Sequence, residues 1–321
     1  MTGFGMDVID WERGQRRLAS AVRLWRSGDA AGPVLAALGR FADGAPIDEC
    51  PALAALFGKD GSLAERLANG LVGGLVDAIL PLLRENPLGQ LPLRHAGRKT
   101  AHTLLLARER DASLAVTVHD GAALAARPIP HSAEFAPVET WMRVMAGAGT
   151  AACHLRDPAR PGHVVRSELV LTPGTVLQRD GRREAMQVRA AQGALVVLRL
   201  QRRLEDADGI CELAIEDGMP LRRAPARIED SRLELAVSVL AAQGRRDAVP
   251  ALGRIVSGSE SAALRWSALR AVLALDTRAG LVLLGELADG DDPALAAAAQ
   301  GVRRDLLVEW PELEKVAQWR G

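Results

Sequence analysis

The hydrophobic period of this chain changes twice. Up to about residue 88, apolar residues recur at the spacing of amphipathic helices. Between residues 90 and 225 they form short runs or alternate, and from Arg232 the helical spacing returns. A helix-period pattern does not settle as a strand, nor the reverse. The expected fold is therefore α+β and multidomain. It comprises an N-terminal helical segment (1–88), an antiparallel β-sandwich or jelly roll (89–226) and an α-α repeat tail (227–321).

Four helices are expected in the first segment. Leu18, Val22 and Leu24 mark the apolar face of the first, and Asp29 is placed to cap the second, AAGPVLAALGRFA, with Pro33 in its first turn. PALAALF follows Asp48 and Glu49 as a third. Ser62 and Glu65 fit a capping box opening the fourth, which ends near Asn86. The middle segment carries runs such as LLLAR, LAVTV, VETWMRVMAG, GTAACHLRD and HVVRSELVL. They are punctuated by DPARPG, TPG, RDGRRE and EDADG. Eight to ten strands at intervals of roughly ten residues are the pattern of a sandwich or barrel.

Charge narrows the partners. Lys plus Arg and Asp plus Glu number 40 each in 321 residues, which argues against a general affinity for nucleic acid or anionic membrane. Tyr is absent, so no phenol serves as acid, base or ligand, and the richness in Ala, Leu, Arg and Gly is that of a GC-rich bacterial genome. Cys50, Cys153 and Cys211 are widely spaced without a CxxC, against a disulfide framework or a structural zinc site. The N-terminus is acidic before any apolar run, unlike a signal peptide. Asp77 interrupts LANGLVGGLVDAILPLL, so no membrane span is expected and the chain reads as soluble and cytoplasmic.

The tail repeats itself. RLELAVSVLAAQGRRDAVPALGRIV from Arg232 returns as RWSALRAVLALDTRAGLVLLGELA from Arg265. A shift of 33 superposes Val239 on Val272 and Leu240 on Leu273; a shift of 32 superposes Leu252 on Leu284. Paired short helices that must stack to bury a face are an α-α repeat, and residues 230 to about 309 resemble the HEAT and armadillo-like class. Asp247 before AVPAL fits the start of a second helix in a HEAT unit, a place that Thr277 and Arg278 take in the next repeat. The resemblance implies a protein-binding or buttressing surface, for which Trp266 and Arg270, four residues apart, are the binding candidates.

In the middle segment, SELVLTPGTVLQRDGRREAMQVRAAQGALVVLRLQR runs strand, Pro-Gly corner, strand and glycine turn, and VETWMRVMAG reads as a strand leading into a first motif. These stretches resemble the cupins, jelly-roll barrels whose metal sites use paired histidines one residue apart, a glutamate and a further histidine. No HxH occurs here, and RREAMQV has no histidine where the last ligand would stand. The resemblance thus implies a cupin-like barrel without the usual ligand set. A metal would need His102, His119 and His154 to converge, helped by Asp120, Glu134 or Glu139; structural or solvated histidines are the plainer reading. Cys153 and His154 are adjacent on a strand and point to opposite faces, so they do not pair as nucleophile and base. Glu139 and Trp141 share a face, lining either a ligand pocket or a contact with the helices.

No nucleophile elbow, P-loop or dinucleotide fingerprint is present. The function expected is a non-catalytic binding or adaptor protein, with the barrel as ligand or peptide receptor and the repeats as docking surface. No cofactor is expected; a protein or peptide partner is. A diverged cupin-type metalloenzyme and a structural subunit of a homo-oligomer are the alternatives.

Overall fold

The structure is a computed structural model that describes residues 8–58, 61–157, 160, 163–204, 209–224, 228–258 and 260–315. The chain divides into two compact units, Met1–Glu205 with Leu213–Met219, and Asp206–Glu212 with Pro220–Gly321.

In the first unit, α1 (Val8–Ser27), α2 (Gly32–Ala42), α3 (Pro51–Leu56) and α4 (Gly61–Glu85) precede the strands. Leu18, Val22 and Trp25 are buried on α1, whereas Leu24, expected on the same face, is 72% exposed. One helical step of 100° separates Leu24 from Trp25 and carries it to the solvent side. Asp29 does not cap α2: the residue before the helix is Ala31, which makes no side-chain cap bond. Helix α4 begins at Gly61, so Ser62 lies inside its first turn, not ahead of it. By length and composition α4 alone among the described residues is apolar enough to cross a membrane; Ala64, Ala68, Leu71, Leu75 and Ile79 form its buried stripe. The Trp25 indole donates to the Leu71 carbonyl at 2.9 Å, joining α1 to α4.

The strands are β1 (His95–Arg98), β2 (Ala101–Glu109), β3 (Ala112–Asp120), β4 (Ser132–Phe135), β5 (Val138–Ala146), β6 (Gly149–Arg156), β7 (Val164–Leu171), β8 (Val176–Asp180), β9 (Glu184–Ala191) and β10 (Ala194–Arg203). A short helix α5 (Gly121–Ala125) follows β3, its first turn capped by Asp120, whose carboxylate accepts from Ala122 and Ala123. β11 (Ile210–Ala214) and β12 (Pro220–Ala224) carry the chain from the first unit to the second. These are twelve strands among the described residues, two more than the upper expectation.

One sheet runs β1-β2-β3-β10-β5-β8 and another β7-β6-β9, with antiparallel pairing throughout both. The Gln187 amide on β9 donates to the Ser132 carbonyl at 2.7 Å, setting β4 beside β9. Numbering β3 to β10 as one to eight, the first sheet contains the order 1-8-3-6. The second is 5-4-7, and strand 2, not hydrogen-bonded into that sheet by its backbone, lies beside 7. That winding is the double-sheet jelly roll, the architecture to which cupin barrels belong.

The sheet has two buried faces. Leu114, Val116, Trp141, Leu198 and Leu200 point toward the N-terminal helices and share one core with Leu18, Leu38, Phe41 and Leu71. The Phe41 and Trp141 rings meet edge to face at 5.3 Å. Met142, Val144, Leu171, Leu195 and Val197 point the other way, into the jelly roll. The N-terminal helices and the jelly roll are therefore one body, because the helices supply the apolar cover that the outer sheet face requires.

The second unit contains α6 (Ile228–Ala242), α7 (Val249–Val256), α8 (Ala262–Leu275), α9 (Thr277–Ala288) and α10 (Pro293–Glu309) around a core of their own. Leu252 and Leu284, superposed by the repeat, are both buried. Val239 is 44% exposed, whereas its counterpart Val272 is fully buried. Thr277 and Arg278 open α9, and Asp276 just before them caps it, its carboxylate accepting from the Ala279 amide at 3.1 Å.

Candidate functional site inside the jelly roll

Strand register decides which side chains enter the jelly roll. Leu195, Val197, Arg199 and Gln201 alternate along one face of β10. Their cross-strand partners include His119, Thr117 and Ala115 on β3, and Val144, Met142 and Thr140 on β5. Across β5, Leu177 and Arg179 of β8 lie beside Met142 and Thr140. From the facing sheet, Cys153 on β6 pairs with Met186 on β9.

The interior thus has two ends. One is an apolar core of Val144, Leu171, Leu195 and Val197. The other gathers Arg179, Arg199, Thr140, Gln201, Cys153 and Glu184. Gln201 donates to the Thr140 hydroxyl at 3.1 Å, and the Thr103 and Thr117 hydroxyls share a hydrogen bond of 3.0 Å. Arg179 interacts electrostatically with Cys153 and Glu184 of the facing sheet, and Arg199 with Arg179 and Arg98. Burial, the larger cause, and for Arg199 the neighbouring cations, pull both guanidinium pKa values below the ordinary arginine value. The Nε atoms of both are buried without a hydrogen-bond partner.

Two other arginines, Arg143 buried and Arg202 half-buried, show what a structural arginine looks like in this fold. Arg143, 1% exposed, points to the helical side, donating from Nε to the Leu56 carbonyl at 2.6 Å and from Nη2 to the Gly58 carbonyl at 2.7 Å. Arg202 pairs with Glu139 at 2.8 Å, donates to the Phe41 and Ala45 carbonyls and lies over the Phe41 ring at 4.2 Å. Both staple helices to the sheet. Arg179 and Arg199 make no hydrogen bond or close ion pair among the described residues. Cations drawn from water without matched acceptors destabilise a fold unless an anion meets them.

The residues singled out from sequence do not converge. His119 lies in the jelly roll, held below the ordinary histidine value by burial and then by Arg199. His102 pairs with Val118 beside it and so points to the opposite face. His154 is buried on the outer face of the β6 sheet, its pKa lowered by burial and by Arg166 and Arg189, with Gln187 opposing. No three of His, Cys, Asp and Glu come together among the described residues in a way that could hold a metal. Burial raises the Cys153 thiol pKa against the pull of Arg179, so the thiol is protonated at neutral pH. Glu139 and Trp141 resolve to the helical contact, with Glu139 paired to Arg202 instead of lying free on the surface. In the second unit, Trp266 is half-buried against the helical core and Arg270 is exposed.

No family model and no curated protein matches the chain. Solved structures match part of it. A 7S globulin from Momordica charantia shares 14% identity at a TM-score of 0.26, over 38% of this chain and 35% of that one. HutD from Pseudomonas fluorescens SBW25 shares 14% at 0.25, over 35% and 56%. Oxalate decarboxylase from Lactobacillus farciminis shares 10% at 0.26, over 36% and 32%. The chain spans less than two thirds of each of these proteins. Likeness at this level carries no argument about activity; the fold rests on the strand order above.

Arg179 and Arg199 are the functional candidates that sequence reasoning missed. Arg199 left a signal: it is the first charge to interrupt the apolar run Leu195–Leu198 in β10, a strand flanked by neighbours on both sides. Arg179, in VLQRD, left none.

Proposed function

We propose that the protein is a binding protein whose cupin-like jelly roll receives a small organic anion at its polar end. The observation that carries this reading is the pair Arg179 and Arg199, both half-buried, with Arg199 beside the charge of Arg179 and the Nε atom of each buried without a hydrogen-bond acceptor. A carboxylate or phosphate would accept charge-assisted hydrogen bonds from both guanidinium groups, with Thr140 and Gln201 beside them to fix its orientation. An apolar wall with a few convergent polar groups is the usual make-up of a small-molecule site. The binding reading rests on these arginines, and among the described residues no group of His, Cys, Asp and Glu is placed to hold a metal. The tail, read as HEAT-like repeats, serves as a docking surface for a protein partner around Trp266 and Arg270.

The test is calorimetric titration of the purified protein with a panel of small mono- and dicarboxylates and phosphate esters. At least one is expected to bind, and Arg199→Gln and Arg179→Gln are each expected to weaken it at least about tenfold, the loss of one charge-assisted contact. If no anion binds, or if both variants bind as the wild type does, the reading fails.

A further inference from the structure

The outward face of α4 has no partner within the described chain, and its chemistry is self-complementary. Opposite the buried stripe stand Leu63, Leu67, Val76 and Leu80, each 38–44% exposed, around Gly70, Gly73 and Gly74. A Cβ at Gly73 or Gly74 would meet nothing within 4 Å, and one at Gly70 only the Ala30 Cβ at 3.8 Å. No contact among the described residues therefore calls for glycine at these positions, although each glycine weakens a helix interior relative to alanine. A glycine flat in mid-helix is suited to close approach by a second backbone.

Counting outward from the midpoint between Leu71 and Val72, Gly70 and Gly73 stand at equal heights, then Arg66 and Asp77, then Leu63 and Leu80. In a two-fold antiparallel helix pair, the residue at one height meets the residue at the mirrored height of the other copy. The glycines then meet at the crossing, Arg66 of each copy faces Asp77 of the other, and leucines close both ends. Arg66 and Asp77 lie near the centre line of the exposed stripe at 100° per residue. Both are exposed, and neither has an ion-pair partner among the described residues.

We infer that α4 is a homodimerisation helix, packing antiparallel against α4 of a second copy. One helix pair covers an area at the lower end of specific interfaces, about 1,200 Å² in total, so the dimer is expected to exchange with monomer. This inference is independent of the anion site, since it uses none of its residues.

Sedimentation equilibrium of the full chain tests it. Wild-type protein is expected to dimerise with concentration. Arg66→Asp and Asp77→Arg, each folded by circular dichroism, should dimerise at least about tenfold more weakly, since each places like charges opposite one another. Mixing the two variants in equal amounts should restore the dimer, because the mixed pair regains both Arg–Asp contacts. A merely structural role for either residue predicts no such rescue. The inference is overturned by a wild type that stays monomeric, by single variants that dimerise normally, or by a mixture that stays monomeric. Wild type that floats with phosphatidylcholine vesicles instead of dimerising would also overturn it, assigning the face to a bilayer.

Discussion

Replacing Arg143 and Arg199, one at a time, by Met separates the stapling arginines from the anion site. Methionine roughly keeps the volume and removes the charge. At Arg143 the change deletes two hydrogen bonds from a charged donor, to Leu56 and Gly58, each worth about 1.5–3 kcal/mol. It also relieves the burial of Nη1, which has no partner, and returns about 1–3 kcal/mol. At mid-range values the net loss is about 2–3 kcal/mol, or a fall in Tm of roughly 5–10 °C for a chain of this size. At Arg199 no hydrogen bond is lost and the repulsion from Arg179 and Arg98 is removed. Without ligand, the Met variant should melt at or slightly above the wild type, as when other buried charges are replaced by apolar residues. Differential scanning fluorimetry of the three proteins in an anion-poor buffer reads the outcome. Equal destabilisation by both substitutions would refute the reasoning, since Arg199 would then hold structure as Arg143 does.

Three further outcomes are expected. His119 and His154 are both held below the ordinary histidine value, mainly by burial. The unfolded chain therefore binds protons that the folded chain refuses as pH falls below about 6.5, and stability drops over that window; denaturant titrations at pH 7.5 and 5.5 should show the fall, and a His119→Gln, His154→Gln variant a flatter profile. Trp266→Ala should cost about 1–3 kcal/mol, less than the 3–5 kcal/mol of a fully buried ring, while Arg270→Ala leaves Tm nearly unchanged. A Trp266→Ala protein that melts normally yet loses a captured protein partner would make the ring a docking anchor. Gly147 turns the chain from β5 to β6 at φ +81° with its would-be Cβ against the Ala194 carbonyl; Gly147→Ala should destabilise by more than about 2 kcal/mol, measured by urea unfolding.

Periodicity alone placed the three segments of the chain, because burying one face of a helix or strand writes itself locally as a spacing of 3.6 or 2. The same locality made the opposed faces of Cys153 and His154 readable, and the buried match of Leu252 with Leu284. Cap positions were less legible: Ala31, not Asp29, precedes α2, since a cap depends on where the first turn starts. Only the tertiary structure showed that the N-terminal helices share a core with the jelly roll. A sheet face that is apolar on both sides demands a cover without saying which segment supplies it. The arginines divide for the same reason. Arg143, Arg179, Arg199 and Arg202 look alike in sequence, each alternating along a strand. Whether a guanidinium finds a helix-end carbonyl, a glutamate or no acceptor is set by residues remote along the chain, and register between strands is what brings those residues within reach.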